Sequence, residues 1–277
     1  MTGGHAPAGP DPQRLRPVAD AADAAWIAER LGTSWGTVGH VVPQGFQAYA
    51  RITHPVQREA DELSWQHVCA VTGRTAHPLM QWQSIAAPDA DGRRLWTDDV
   101  PMIGSLESPS LGRLADVLAA HTAAVDDCRF GLWDGYGWMH GPFSIVMVGP
   151  GPQPPIPPAF GPHGPGGTAD AEGPMLHLPH RDYHLFDGPL GVLHEQRFWP
   201  TIREFDEVMA VWTTPQSPNL LWPADRSWCV ATEIDFDSTL VGGPAALIND
   251  LLYGSSGLET WPVRPEDDLS INGDTIN

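Results

Sequence analysis

The chain carries 15 basic against 34 acidic side chains over 277 residues, a formal net charge of −19, and all of the basic residues are arginine. That balance excludes the phosphate-tracking surfaces of nucleic-acid and anionic-membrane binders, which rest on neutralising cations. With 42% hydrophobic residues, 12 Trp and 8 Phe, there is ample apolar surface to offset the entropy of ordering the chain, so wholesale disorder is excluded as well.

Cys69, Cys128 and Cys229 are too few and too scattered for a disulfide framework, which suits a reducing compartment. No basic start followed by an apolar run marks export, and no stretch approaches the ~18 apolar residues of a membrane span. The expected location is the cytoplasm. The absence of lysine beside abundant Ala, Gly and Pro reads as the codon bias of a GC-rich bacterial genome.

In chain order, residues 1–17 read as a flexible leader rich in Gly, Pro and Ala. Asp20 to Leu31 is helical by its apolar spacing, with Gly32 as the stop. Gly45 to Thr53 reads as a strand, Ser64 to Val71 as a helix, Leu79 to Ile85 as extended, and Ala87 to Asp99 as turns. Ser108-Pro109 opens the clearest helix, with Leu111, Leu114, Ala115 and Leu118 on one face and an end near Ala124. Cys128–Trp133 and Phe143–Val148 then predict a hairpin about Asp134-Gly135-Tyr136-Gly137.

Residues 149–174 form a Pro/Gly tract expected to be an extended loop or linker. Beyond it, Met175 to Leu185 is extended, Asp206 to Thr213 is ambiguous, and Trp228 to Phe236 alternates as a strand. A helix follows Gly243-Pro244, with Leu247, Ile248, Leu251 and Leu252 on one side and Gly254 as its stop. Residues 265–277 read as a frayed polar tail. Strands mix with helices without βαβ alternation, so the expected class is α+β: a mixed, mainly antiparallel sheet with packing helices. Either one compact body or two closely packed lobes, 18–148 and 175–264, satisfies the pattern.

Three segments concentrate chemistry. Gly32-Thr33-Ser34-Trp35-Gly36 matches the nucleophile-elbow pattern, but that elbow needs a strand before the serine and a helix after it. Here a helix precedes, and the β-branched Val38 to Val42 follows, so Ser34 is set aside. His177, His180, Asp182 and His184 are the ligand types that Zn or Mn prefers. A strand would turn His180, Asp182 and His184 to one face, yet its rise of ~3.3 Å per residue sets the two histidines roughly 13 Å apart, so two adjacent members would need a third ligand from elsewhere. Glu233, Asp235 and Asp237 alternate with Ile234 and Phe236, which predicts an acidic outward face suited to a cation or to a partner's arginines. Trp222 and Trp228, with Trp133, Trp138 and Trp261, could add an aromatic contact surface. Phosphate-binding loops, H-E-x-x-H pairs and dinucleotide fingerprints are missing.

The runs Leu132-Trp133-Asp134-Gly135-Tyr136-Gly137-Trp138 and Trp222-Pro223-Ala224-Asp225-Arg226-Ser227-Trp228-Cys229-Val230-Ala231-Thr232-Glu233-Ile234-Asp235 resemble a family of actinobacterial proteins described only as hypothetical. The likeness runs from about Trp35 to Trp261. It implies a bacterial, cytoplasmic protein and transfers no catalytic residue. In acidity, size and architecture the chain is also similar to immunity proteins of the SUKH type, which neutralise toxin domains by binding them.

Together these features point to binding rather than catalysis: an immunity-like module whose acidic C-terminal region docks a basic protein through Glu233, Asp235, Asp237, Trp222 and Trp228, with no cofactor. From Asp225 to Asn277, ten acidic residues face two arginines. The alternative is a metal-dependent hydrolase or isomerase holding Zn or Mn at His180, Asp182 and His184. The sequence leaves the oligomeric state open.

Overall fold

The computed structural model describes residues 15–59, 61–97, 99–136, 174–195 and 216–277. The strands are β1 (Arg16–Pro17), β2 (Ala48–Thr53), β3 (Val56–Arg58), β4 (Asp61–Leu63), β5 (Cys128–Trp133), β6 (Met175–His177), β7 (Asp182–Gly188), β8 (Leu220–Pro223), β9 (Cys229–Ala231), β10 (Ser238–Gly243) and β11 (Thr260–Val263). The helices are α1 (Ala25–Arg30), α2 (Val38–Val41), α3 (Trp65–Thr72), α4 (Trp82–Ile85), α5 (Ser110–Ala119) and α6 (Ala245–Tyr253). The class is α+β, as the mixed pattern predicts.

Nine strands form one sheet in the order β1-β7-β5-β8-β9-β10-β2-β11, with β6 also on β7; β3 and β4 make a separate hairpin. Every pairing among the described residues is antiparallel. The sheet ends are poor templates for another chain: β11 contains Pro262, and the outer edge of β7 is covered by the short β1 and β6.

Strand alternation divides the core into two layers. Phe130 and Leu132 of β5, Val230 of β9, Val241 of β10 and Ile52 of β2 face α5 and α6. Leu185 of β7, Leu220 and Trp222 of β8, Ala231 of β9 and Leu240 of β10 face α1 and α2 on the opposite side. A smaller cluster gathers Trp65, Val68, Met80, Ile85 and Trp96 around α3 and α4.

The apolar faces of α5 and α6 are those the spacing predicts: Leu111, Leu114, Ala115 and Leu118 are buried in one, Leu247, Ile248 and Leu251 in the other. Ser64 accepts a hydrogen bond from the His67 amide and caps α3, which Gly73 ends in the left-handed conformation.

Tertiary contacts override several local expectations. Leu79 to Ile85 is not extended: α4 turns Trp82 against Trp65 and Trp96, with ring centroids 5.5 and 6.3 Å away. Val38 to Val41 is helical despite its β-branching, because the Val38 and Gly39 amides donate to the Asp267 and Pro265 carbonyls at 3.0 and 2.8 Å. α5 stops at Ala119, short of Ala124. Both edges of β5 are taken, by β7 and β8, and the hairpin partner expected at 143–148 lies outside the described residues. So do the leader up to residue 14, nearly all of the Pro/Gly tract, residues 206–213 and Trp138.

The two-lobe division is not followed by the sheet, since β2 and β5 interleave with strands from beyond the Pro/Gly tract. Nor is 265–277 frayed. Leu269 is buried and its amide donates to the Gly36 carbonyl at 2.8 Å, while Asn277 bonds both the amide and the carbonyl of Thr75. No helix among the described residues is long and apolar enough to cross a membrane.

Candidate functional site

The strand expected to carry three outward carboxylates ends at Ala231. Residues 232–237 are instead the turn joining β9 to β10, closed by the Phe236 amide donating to the Glu233 carbonyl at 3.0 Å. The period-2 alternation therefore has no strand to act on, and the carboxylates diverge. Arg181 donates to Glu233 at 2.7 Å and to Asp235 at 2.9 Å, whereas Asp237 turns inward to the buried Arg51 at 3.6 Å. Trp222 and Trp228 are 1% and 0% exposed and belong to the two opposite core layers, so neither offers a contact surface.

The expected metal ligands separate for a similar reason. β7 begins only at Asp182, so His180 sits in the turn after β6 and does not share a strand face with Asp182 and His184. His177 pairs with Asp182 at 2.8 Å, and His184 lies buried against Asp134 at 2.6 Å. Among the described residues no group of three His, Cys, Asp or Glu is arranged to hold a metal ion.

What the fold assembles is a recess on the α1–α2 side of the sheet, about 660 Å³ measured out to its open mouth. Its walls are apolar: Leu31, Val41, Leu178, Leu220, Ala231 and Phe236. Three rings stand at one side. Trp35 lies 5.1 Å from both His40 and His180, centroid to centroid, and the two imidazoles are 5.3 Å apart. Trp35 is 63% exposed, an unusual position for so large an apolar group.

Each ring is held by a different element. Trp35 and His40 come from the α1–α2 connection and α2, which residues 265–269 clamp from outside through the bonds to Val38, Gly39 and Gly36. His40 Nδ1 lies 3.0 Å from the Gly32 carbonyl; a carbonyl only accepts, so this nitrogen carries the proton. His180 comes from the β6–β7 turn, which the Leu178 amide closes by donating to the Arg181 carbonyl at 2.9 Å.

Two polar features line the interior. Arg181 lies 5.6 Å from the Trp133 ring centroid and binds both Glu233 and Asp235, so this cation is outnumbered by its two anions. Glu233 also accepts from the Ile234 amide at 2.9 Å. Tyr183 of β7 is 6% exposed, lines the recess, and its hydroxyl has no hydrogen-bond partner among the described residues. Burial, reinforced by the Glu233 carboxylate, pushes this phenol up, so it stays neutral and able to donate or accept.

Ser34 is not an elbow nucleophile: it follows α1 and precedes α2, and its carbonyl accepts from the Thr37 hydroxyl at 2.8 Å. The residues that sequence reasoning passed over are Trp35, His40 and Tyr183. The available signal was Trp35 itself, a tryptophan in the Gly-rich stretch between the first helical run and the Val-rich run that follows.

The architecture defines a class, an antiparallel sheet with helices on both faces and an open, apolar-walled recess against one of them. No protein-family model matches the chain, and no curated protein or solved structure matches it either.

Proposed function

We propose that the protein binds a small organic molecule in the recess walled by Leu31, Val41, Leu220 and Phe236. The observation that carries this reading is Tyr183: a buried phenol, unpartnered among the described residues, on the lining of an apolar cavity. That hydroxyl is neutral and can donate to or accept from a ligand. Apolar walls with a few convergent polar groups are the ordinary composition of ligand sites. The exposed Trp35 supplies a flat surface at the mouth, where a ring can stack.

The test is a fragment screen by ligand-observed NMR, repeated on Trp35→Ala and Tyr183→Phe. Fragments bound by the native protein are expected to weaken severalfold in both variants. Hits that bind all three proteins equally would remove the reading.

Docking of a basic protein partner is a second reading, favoured by the net charge of −19. Such a field accelerates encounter with any cationic surface and does not need a particular face. Its support no longer includes an acidic strand, because Arg181 and Arg51 occupy the carboxylates at 233, 235 and 237. Pull-down from a bacterial lysate at low and high salt tests it: a partner retained at both would favour a specific interface, and none at low salt would dismiss it.

A further inference from the structure

We propose that the recess recognises its ligand by an acceptor oxygen, the carbonyl of an apolar or aromatic ketone, ester or amide, which the Tyr183 hydroxyl and the Arg181 Nε–H receive. The inference rests on the ligand-binding reading above and adds the hydrogen-bonding role of the ligand; its charge plays no part.

The unspent groups of the interior are donors. Arg181 gives its terminal nitrogens to Glu233, Asp235 and the His180 carbonyl. Its Nε–H is shut off from water and has no acceptor among the described residues, a costly state for a buried donor. Tyr183 stands two residues further along and also lines the recess, and its hydroxyl is likewise without a partner among the described residues. Side chains two apart on extended backbone leave it on the same side. The Arg181 charge accordingly acts on the Tyr183 phenol, which it holds down against the effect of burial.

The acceptors on the same walls are engaged. One oxygen of Glu233 accepts from Arg181 at 2.7 Å and the other from the Ile234 amide at 2.9 Å. Asn219 Oδ1 accepts from the Trp133 amide at 2.9 Å, and its nitrogen donates to the Tyr136 hydroxyl and the Thr232 carbonyl at 3.0 and 3.2 Å. The lone pair left on His40 Nε2 belongs to the ring group around the exposed Trp35, where water serves it. A phenol donates better than it accepts, because its oxygen lone pair is drawn into the ring. Tyr183, beside a guanidinium, is therefore set to donate, and one carbonyl oxygen has two lone pairs with which to accept from both groups.

The apolar walls set the rest of the molecule. Leu31, Val41, Leu178, Leu220, Ala231 and Phe236 favour an apolar body behind the oxygen. An analogue of the same shape without that oxygen leaves both donors unpaired, and one that only donates brings an N–H or O–H that these walls do not satisfy. Discrimination of this kind is what a buried hydrogen-bonding group supplies.

The experiment is an NMR titration of the full chain with three neutral probes of similar shape: acetophenone, whose carbonyl only accepts, N-methylaniline, whose N–H donates, and α-methylstyrene, which does neither. Each is measured on the native protein, on Tyr183→Phe and on Arg181→Lys, which keeps a cation opposite Glu233 and removes the Nε–H. Comparing each probe with itself across the variants cancels the differences in hydrophobicity. Both variants are expected to weaken acetophenone at least threefold, about 0.7 kcal/mol, and to leave α-methylstyrene unchanged. If Tyr183→Phe spares acetophenone, or weakens all three probes alike, the acceptor preference is overturned while the recess remains a ligand site. An unchanged acetophenone affinity in Arg181→Lys would overturn the part given to Nε. If none of the three binds the native protein below about 10 mM, roughly tenfold above a millimolar fragment affinity, the ligand-binding reading fails with it.

Discussion

Replacing Asp274 by alanine should destabilise the protein by about 2–4 kcal/mol, although it lies in a segment that composition marks as a polar tail. The side chain is fully buried and accepts from the Ile276 and Asn277 amides at 3.1 and 3.0 Å, from the Gln81 amide at 3.2 Å, and bonds His77 at 3.0 Å. The Ile276 amide belongs to an exposed residue and can be rehydrated when the carboxylate is removed. The Gln81 amide cannot: the residue is 6% exposed, and an orphaned buried donor costs ~1–3 kcal/mol. Loss of the partner of His77 adds roughly another 1 kcal/mol. At about 2–4 °C per kcal/mol for a chain of this size, the melting temperature should fall by ~4–16 °C.

Burial alone would raise the Asp274 carboxyl, but the hydrogen bonds from Asn277, Ile276 and Gln81 outweigh it and hold the group well below the usual carboxylate range. The folded state therefore resists protonation more than the unfolded chain does. The stability this supplies is fully present above the ordinary carboxylate value of ~3.9 and is lost as pH falls below it. Urea unfolding followed by tryptophan fluorescence at pH 7 and pH 3 measures both effects. Native protein and Asp274→Ala should differ most at pH 7 and converge towards pH 3. A variant within 0.5 kcal/mol of native at pH 7, a margin at the noise of surface substitutions, would refute the claim that this residue anchors the segment.

Gly104→Ala should cost more than Gly73→Ala in thermal melts. Both have positive φ, +75° and +72°, but a methyl at 104 would sit 2.5 Å from the Ile234 carbonyl oxygen, while nothing lies within 4 Å at 73; expected losses are above 2 and about 1 kcal/mol. Burial pushes the thiols of Cys69 and Cys128 up to about 11 and about 12, so neither should react with iodoacetamide at pH 8 until denaturant is added; rapid labelling of native protein, read by mass spectrometry, would contradict the packing. Burial pushes His54 down to about 4 against the opposing bond to the Met102 carbonyl, so its NMR shifts should not titrate between pH 5 and 8. Because the unfolded chain takes up that proton first, His54 contributes stability above pH ~6.5 that declines towards pH 4, with a slope of up to ~1.4 kcal/mol per pH unit. Trp222→Ala and Trp228→Ala should each cost about 3–5 kcal/mol by opening a cavity; small losses with native-like melts would return these residues to the surface role.

Elements whose burial follows their own spacing were legible in the sequence. α5 and α6 bury the stripes that a 3.6-residue period predicts, because in each one face meets a core and the other meets water, and β2, an inner strand buried on both faces, lies within its expected limits. Val38 to Val41 and Leu79 to Ile85 were illegible for the complementary reason. Their conformation is imposed by partners remote in sequence, the 265–269 segment in one case and the Trp65 and Trp96 rings in the other. No local period encodes a partner of that kind.

The misread turn at 232–237 shows how alternation can mislead. Glu233-Ile234-Asp235-Phe236-Asp237 fits a half-buried strand letter by letter, yet a strand from Trp228 through Gly243 would run sixteen residues, far beyond the usual five or six. Length therefore required a reversal, and the densest polar stretch was the place for it. Once the chain reverses there, Asp237 and Ser238 fall beside Thr53 and Arg51 of β2, where Ser238 accepts from Arg51 Nε at 3.0 Å. The same reversal swings Glu233 and Asp235 towards the β6–β7 turn and into reach of Arg181. Of the three carboxylates that alternation assigns to one outer face, Glu233 thus lines the recess, Asp235 stays exposed beside Arg181, and Asp237 is drawn inward to Arg51.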